Sequence, residues 1–272
     1  RIHGNQEGRF FHGYYDQYCY LPLYVFCGDE LLVSYLRPSN IDPSKPCRAI
    51  LKLLMERFRQ AWPGVRIVIR ADSGFCRWRL MRWCDRNDVD YILGLARNPV
   101  VQRLGASWMQ EAEQQFQRSG QKQRLFGRFQ YAAKSWGRQR DVIVKAERLP
   151  EGPNMRFIVT SLTGDPQSLY DGVYCQRGDM ENRIKEQQLG LFADRTSCRT
   201  MQANQFRLLL SSSAYILLQA MRRIALQGTQ LARAQVTTLR LKRLKIAARV
   251  RVSARRVVFH LASPLPWGRG RS

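Results

Sequence analysis

Between Val65 and Leu95 the chain passes from strand to helix to strand, and that order leaves few architectures open. Val65 to Ala71 (VRIVIRA) alternates as a strand does, Arg77 to Asn87 has helical character, and Tyr91 to Leu95 is strand-like again. A helical crossover of that length joins parallel strands, whereas an antiparallel pair needs only a short turn. The fold class is therefore α/β, in which polar groups at the C-terminal ends of strands commonly build the site. Asp72, followed by the small pair Ser73-Gly74, stands at such an end.

The flanking sequence extends this pattern. Tyr18 to Phe26 (YCYLPLYVF) and Glu30 to Arg37 (ELLVSYLR), separated by the turn signal Cys27-Gly28-Asp29, read as a β-hairpin. Pro22 inside the first run implies an edge position or a bulge. Ser44 to Trp62 reads as an amphipathic helix whose apolar face is Ile50, Leu53, Leu54 and Phe58, ended by Pro63-Gly64. Residues 99–150 are less periodic, with strands expected at Leu125–Ala133 and Asp141–Glu147, and Arg156–Ser161 is a further short strand. Tyr170 to Gln188 has helical composition weakened by Gly172 and Gly178. Phe206, Leu209, Leu210, Ala214, Leu217, Ala220, Met221 and Ile224 read as one broad helical face.

Charge narrows the partner. The 272 residues carry 45 Lys+Arg against 21 Asp+Glu, a net +24, and 44% of them are hydrophobic, enough for a core. No acid follows Asp194, so the stretch 195–272 is cationic throughout. Its densest part sets Arg240, Lys242, Arg243, Lys245, Arg249, Arg251, Arg255 and Arg256 among aliphatic residues. Such a cluster neutralises phosphates and releases counterions, which points to nucleic acid; a solvated face or an acidic protein partner is the alternative.

Other classes find little support. The apolar stretch Leu208–Met221 is interrupted by Ser211, Ser212 and Ser213 and is shorter than the roughly 20 residues that cross a bilayer, so no membrane span is expected. Seven Cys form an odd set without a C-x-x-C pair, which fits a reducing cytoplasm. His3, His12 and His260 are isolated, leaving a zinc site little to use. Arg1 to Gln6 has neither an initiator Met nor the layout of a signal peptide, so the chain is expected to begin within a longer protein; residues 263–272 read as a flexible end.

Two acids stand out in so basic a chain. Metal-assisted phosphoryl transfer needs carboxylates that converge on one or two Mg²⁺ ions. Asp72 suits that chemistry, although its position also suits an N-cap or Asx turn. Glu181 shares a helix face with Arg177 and Lys185 at i−4 and i+4, an arrangement equally open to a solvated salt-bridge stripe. Glu186 lies about 140° further round the helix and points elsewhere.

At these residues the sequence resembles the DDE transposases of bacterial insertion sequences. The resemblance is carried by Gly8–Asp16 (GRFFHGYYD), Arg70–Cys76 (RADSGFC), Gly94–Asn98 (GLARN) and Tyr174–Glu186 (YCQRGDMENRIKE), and it spans nearly the whole chain. It implies an RNase H-like core with a β-rich insertion between the second catalytic Asp and the Glu, plus a basic C-terminal helical region. The implied divisions are 1–98 and 163–230 for the core, 99–162 for the insertion and 231–272 for the basic extension.

By the same resemblance Asp72 and Glu181 are catalytic residues and metal ligands, and Tyr174, Arg177 and Glu181 form a Tyr-x2-Arg-x3-Glu signature. The Lys expected six residues further is replaced by Gln188, with Lys185 in reach to supply the charge. The first catalytic Asp is expected upstream of Arg1; Asp16 is the alternative in another register. The implied activity is strand cleavage and transfer at insertion-sequence ends with two Mg²⁺ ions, for which Mn²⁺ substitutes. The implied partner is double-stranded DNA, both inverted-repeat ends and target, bound by a homodimer or multimer at the nucleoid of a bacterial cytoplasm. Tyr174, Arg177, Arg183, Lys185, Arg240, Lys242, Arg243 and Lys245 are the expected DNA contacts. The rival expectation is a truncated or decayed transposase that binds DNA without catalysis.

Overall fold

The computed structural model describes residues 4–42 and 44–262, so His3 and the expected flexible end 263–272 lie outside the described residues. Along the chain run β1 (Phe10–His12), β2 (Gln17–Cys19), β3 (Leu23–Cys27), β4 (Glu30–Tyr35), α1 (Cys47–Ala61), β5 (Val68–Ala71), a 3-10 turn (Ser73–Phe75), α2 (Trp78–Arg86) and β6 (Asp90–Leu95). Then follow α3 (Pro99–Leu104), α4 (Ala106–Ser119), β7 (Gln123–Tyr131), β8 (Arg140–Leu149), β9 (Gly152–Thr160) and α5 (Pro166–Ser168). A π turn (Leu169–Tyr174), α6 (Arg177–Lys185), a second π turn (Glu186–Gly190), α7 (Met201–Ile224), α8 (Val236–Leu239), a third π turn (Arg240–Leu244), β10 (Ala248–Val252) and β11 (Val257–Leu261) complete the order. The class is mixed α/β. The chain divides into two compact units, Asp42–Asp179 and Arg1–Ile41 with Met180–Ser272, the division falling inside α6.

The unit Asp42–Asp179 is built on one five-stranded sheet in the order β5-β6-β9-β8-β7. β5 and β6 are parallel, as the helical crossover requires, and the other pairings are antiparallel. The centre of the sheet is apolar on both faces: Ile92, Leu93, Val142, Ile143, Val144 and Ile158 are buried. Ile92, Ile143 and Ile158 pack with Leu169 and Tyr170 on one face. On the other, the Trp108 ring of α4 lies over β7 so closely that a Cβ on Gly127 would fall 2.0 Å from it. Asn98 caps α3 by accepting from the backbone N–H of Val100 and Val101, with Pro99 in the first turn.

Several expectations change here. Residues 99–119 are two helices, and β7 to β9 belong to the same sheet as β5 and β6. α1 buries Cys47, Leu51 and Met55, with Leu53 left 64% exposed, because apolar residues occur on more than one side of this helix and Leu51 and Met55 set the phase.

In the other unit, Tyr18–Phe26 is not one strand. β2 pairs with β1 (Phe11 opposite Tyr18), while β3 pairs with β4 across a bulge between Val25 and Phe26. Pro22, which has no N–H to donate, lies between the two strands. α7 reverses the expected face: Leu208, Ser211, Ser212, Tyr215 and Leu218 are buried, whereas Phe206, Leu209, Leu210, Leu217 and Ile224 are exposed. Hydrogen bonds decide this orientation. Gln205 accepts from the Leu36 N–H at 2.6 Å and donates to the Ser34 carbonyl at 3.1 Å, and the Ser212 and Ser34 hydroxyls meet at 2.7 Å. The basic extension is helical only as far as Leu244; β10 and β11 then form an exposed antiparallel ribbon, Arg249 opposite His260.

One buried ion cluster gives the sheet a pH signature. The Glu147 carboxylate meets Lys145 at 2.7 Å and Lys122 at 2.9 Å and accepts from Asn154 at 3.1 Å. Burial works to raise its pKa, but the hydrogen bonds from Lys145 and Lys122 prevail and hold it at about 2. A depressed carboxyl contributes stability that is complete above its unfolded pKa, near 4.3, and that is lost as pH falls toward 2. Glu147→Gln is expected to flatten the acid limb of urea-unfolding stability between pH 4.5 and 2. A limb as steep as that of the parent protein would contradict the assignment.

Candidate active site

The chemistry-bearing turn of the unit Asp42–Asp179 begins where β5 ends. Asp72 leaves the strand in extended backbone and caps the 3-10 turn, its Oδ1 accepting from the Gly74 N–H at 2.8 Å. Asp72 is exposed, and among the described residues no other group donates to its carboxylate, so Oδ2 faces outward unpartnered. The Asx-turn and metal-ligand readings are therefore compatible: one oxygen aims the carboxylate and the other stays open.

Gly94 on β6 brings further groups to this turn. A Cβ there would lie 2.9 Å from the Ser73 nitrogen, 3.2 Å from the Asp72 carbonyl carbon and 2.7 Å from the Tyr174 hydroxyl. Tyr174 closes the first π turn, which is fixed to the sheet by two devices. Arg124 grips Asp171 with both guanidinium nitrogens, at 3.0 and 2.5 Å, and Arg70 of β5 donates to the Val173 carbonyl at 2.6 Å and to Gln176 at 3.2 Å. The Cys175 N–H reaches the Tyr170 carbonyl, a π-type bond of 2.9 Å. Burial pushes the Tyr174 hydroxyl up, Arg177 opposes this through its charge and a hydrogen bond, and the Asp72 charge adds to the rise. Asp72, Gly94, Tyr174 and Arg177 thus share one locality.

The remaining expected residues belong to the other unit. Glu181 is exposed on α6, in the part belonging to the other unit. Four residues on, Lys185 is exposed and has no ion pair among the described residues. Arg183 is engaged by Asp29 of the β3–β4 turn. Glu186 is held by both nitrogens of Arg222 at 2.8 and 3.2 Å and by the Val236 N–H at 3.0 Å. Gln188 is half-buried, and its neighbour Gln187 is fully buried with its amide donating to Ser212 at 2.7 Å. Arg240 donates to the Gly190 carbonyl at 2.6 Å and stacks on Phe192 at 4.5 Å, a structural post rather than an open cation. Lys242 and Lys245 are exposed, and Arg243 is half-buried with its Nε unsatisfied. Asp16 occupies an exposed position with φ +48° after the β1 strand.

Among the described residues, no three His, Cys, Asp or Glu side chains are grouped as a metal site. All seven cysteines are free. No helix of the described residues is long and apolar enough to cross a membrane. The sequence blocks contain Gly94 and Arg70 but do not tell what they do: Gly94 admits the Asp72–Ser73 backbone and the Tyr174 hydroxyl, and Arg70 ties down the Val173 carbonyl and Gln176.

Gly94→Ala is expected to displace the Asp72–Ser73 backbone or Tyr174, because a methyl group at 2.9 Å from backbone nitrogen has no room. The cost should be of order 1–3 kcal/mol in urea unfolding. Equal stability of the alanine variant would contradict the packing described.

A family model described as transposase DDE domain, group 1, matches residues 1–270. No curated protein is significantly similar to the chain. With nearly its whole length covered, and with the Asp72, Gly94 and Tyr174 blocks meeting at one turn, the chain belongs to the group 1 family of transposase DDE domains.

Proposed function

We propose that this chain carries out DNA strand cleavage and transfer at the ends of a bacterial insertion sequence, with Asp72 and Glu181 as metal ligands. The observation that carries the reading is the aimed carboxylate of Asp72, pinned through Oδ1 and open at Oδ2 beside Tyr174 and Arg177. An oxygen-only donor of this kind suits Mg²⁺ or Mn²⁺. When bound, such ions supply acidified water and charge stabilisation for an in-line phosphoryl displacement. The protein's part is to hold the carboxylates and the DNA in register. Gly74 orients Asp72, Arg177 orients Tyr174, and Lys185, with Arg183, Lys242, Arg243 and Lys245, meets phosphates.

The second reading, a DNA-binding remnant without catalysis, draws on the lack of a three-acid cluster among the described residues.

Nicking of a supercoiled plasmid bearing the native element's ends separates the two. The natural gene product is expected to nick in Mg²⁺ or Mn²⁺, and Asp72→Asn and Glu181→Gln each to lower the rate more than about 10²-fold, beyond what loss of an outer-shell partner brings. DNA retardation without nicking by the natural product would favour the remnant.

A further inference from the structure

Within the unit Asp42–Asp179, α2 divides its residues sharply. Leu80, Met81 and Cys84 are buried, while Arg79, Arg82 and Arg86 stand exposed on the opposite side at i, i+3 and i+7. Arg48, in the first turn of α1, joins them, and with Trp78 and Trp83 these four arginines line a groove of about 430 Å³. The groove continues past Arg48 and Trp78 into a second depression of about 670 Å³ that reaches Lys45 and Arg77.

The four guanidinium groups have no counterion. None of Arg48, Arg79, Arg82 and Arg86 forms an ion pair or side-chain hydrogen bond among the described residues. The acid on the same helix, Asp85, is occupied by Arg138 at 2.9 Å and Arg140 at 2.6 Å. Arg140 also stacks on Trp78 at 5.1 Å, and Gly137 lets that indole pack where a Cβ would come within 2.6 Å. The wall is thus fixed before any ligand arrives. Like charges held together without compensation repel one another, and the arrangement is relieved by a polyanion.

From Arg79 to Arg86 the helix rises about 10 Å, the length of duplex axis over which one DNA strand carries about three phosphates. We propose that the α1–α2 groove holds the phosphodiester backbone of DNA, a contact surface additional to Arg177, Lys185 and the basic segment 242–245. The choice of DNA rests on the transposase reading. Because α2 starts directly after the Asp72–Cys76 turn, a backbone lying along Arg86, Arg82 and Arg79 is led toward Asp72.

The test uses the full chain in EDTA, with fluorescence anisotropy of a labelled 25-base-pair duplex read from 50 to 300 mM salt. R79Q/R82Q/R86Q is expected to bind about 10²- to 10³-fold more weakly at 0.1 M salt and to lower the slope of log K against log[salt] by about 3. R79K/R82K/R86K, which keeps the charges, is expected to retain the slope. An unchanged slope in the glutamine variant overturns the proposal, as does an equal loss in the lysine variant. Because binding is read without metal, a groove that binds DNA in a chain that never nicks would sink the catalytic reading and leave this one standing.

Discussion

Gly94 follows the buried Ile92 and Leu93 on a strand of the five-stranded sheet, and the space its missing side chain leaves is filled from two directions. The backbone of Asp72 and Ser73 enters from β5, and the Tyr174 hydroxyl enters from the π turn. Everything that gives Asp72 a fixed direction depends on that approach. β5 can end where it does only because β6 lies parallel beside it, Ala71 opposite Leu93, and Tyr174 reaches the turn only because Arg124 and Arg70 tie residues 171–176 down. A carboxylate on a turn braced from two sides costs little reorganisation when it meets a cation, which is the advantage of a preorganised ligand.

Charge is organised on a similar principle of pairing and release. Arginines that serve the fold are committed: Arg140 to Asp85, Arg124 to Asp171, Arg222 to Glu186 and Arg240 to the Gly190 carbonyl. Acids are few, and the committed arginines consume several of them. What remains cationic gathers in distinct places: the α1–α2 groove, and the exposed residues of the segment from Lys245 through the β10–β11 ribbon. The net charge of +24 is therefore a surface property with a pattern, suited to a polyanion and to strong salt dependence.

Much of this was legible in the sequence. The crossover between Val65 and Leu95 and the position of Asp72 at a strand end follow from periodicity and turn chemistry, and each agrees with the structure. The face of α7 was not legible, because Ser212, Asn204 and Gln205 look like solvent-facing residues until their hydrogen-bond partners outside the helix are known. The two-strand division of Tyr18–Phe26 was marked by Pro22, but the pairing of β2 with β1 is a non-local choice that composition does not encode. The helices at 99–119 were hidden by mixed polarity, since α4 buries only Ala112 fully and spends Trp108 on a contact over a glycine. For the site, the motif residues were evident, Arg70 and Gly94 among them, whereas the contacts through which those two brace the turn were not.

The central proposal is that Asp72 and Glu181 are metal ligands. Electron paramagnetic resonance titration of Mn²⁺ into the full natural chain tests it directly, with Asp72→Asn and Glu181→Gln measured side by side. Each change should weaken Mn²⁺ binding by about tenfold or more, as loss of a ligand does. Binding left intact by either substitution would contradict the account.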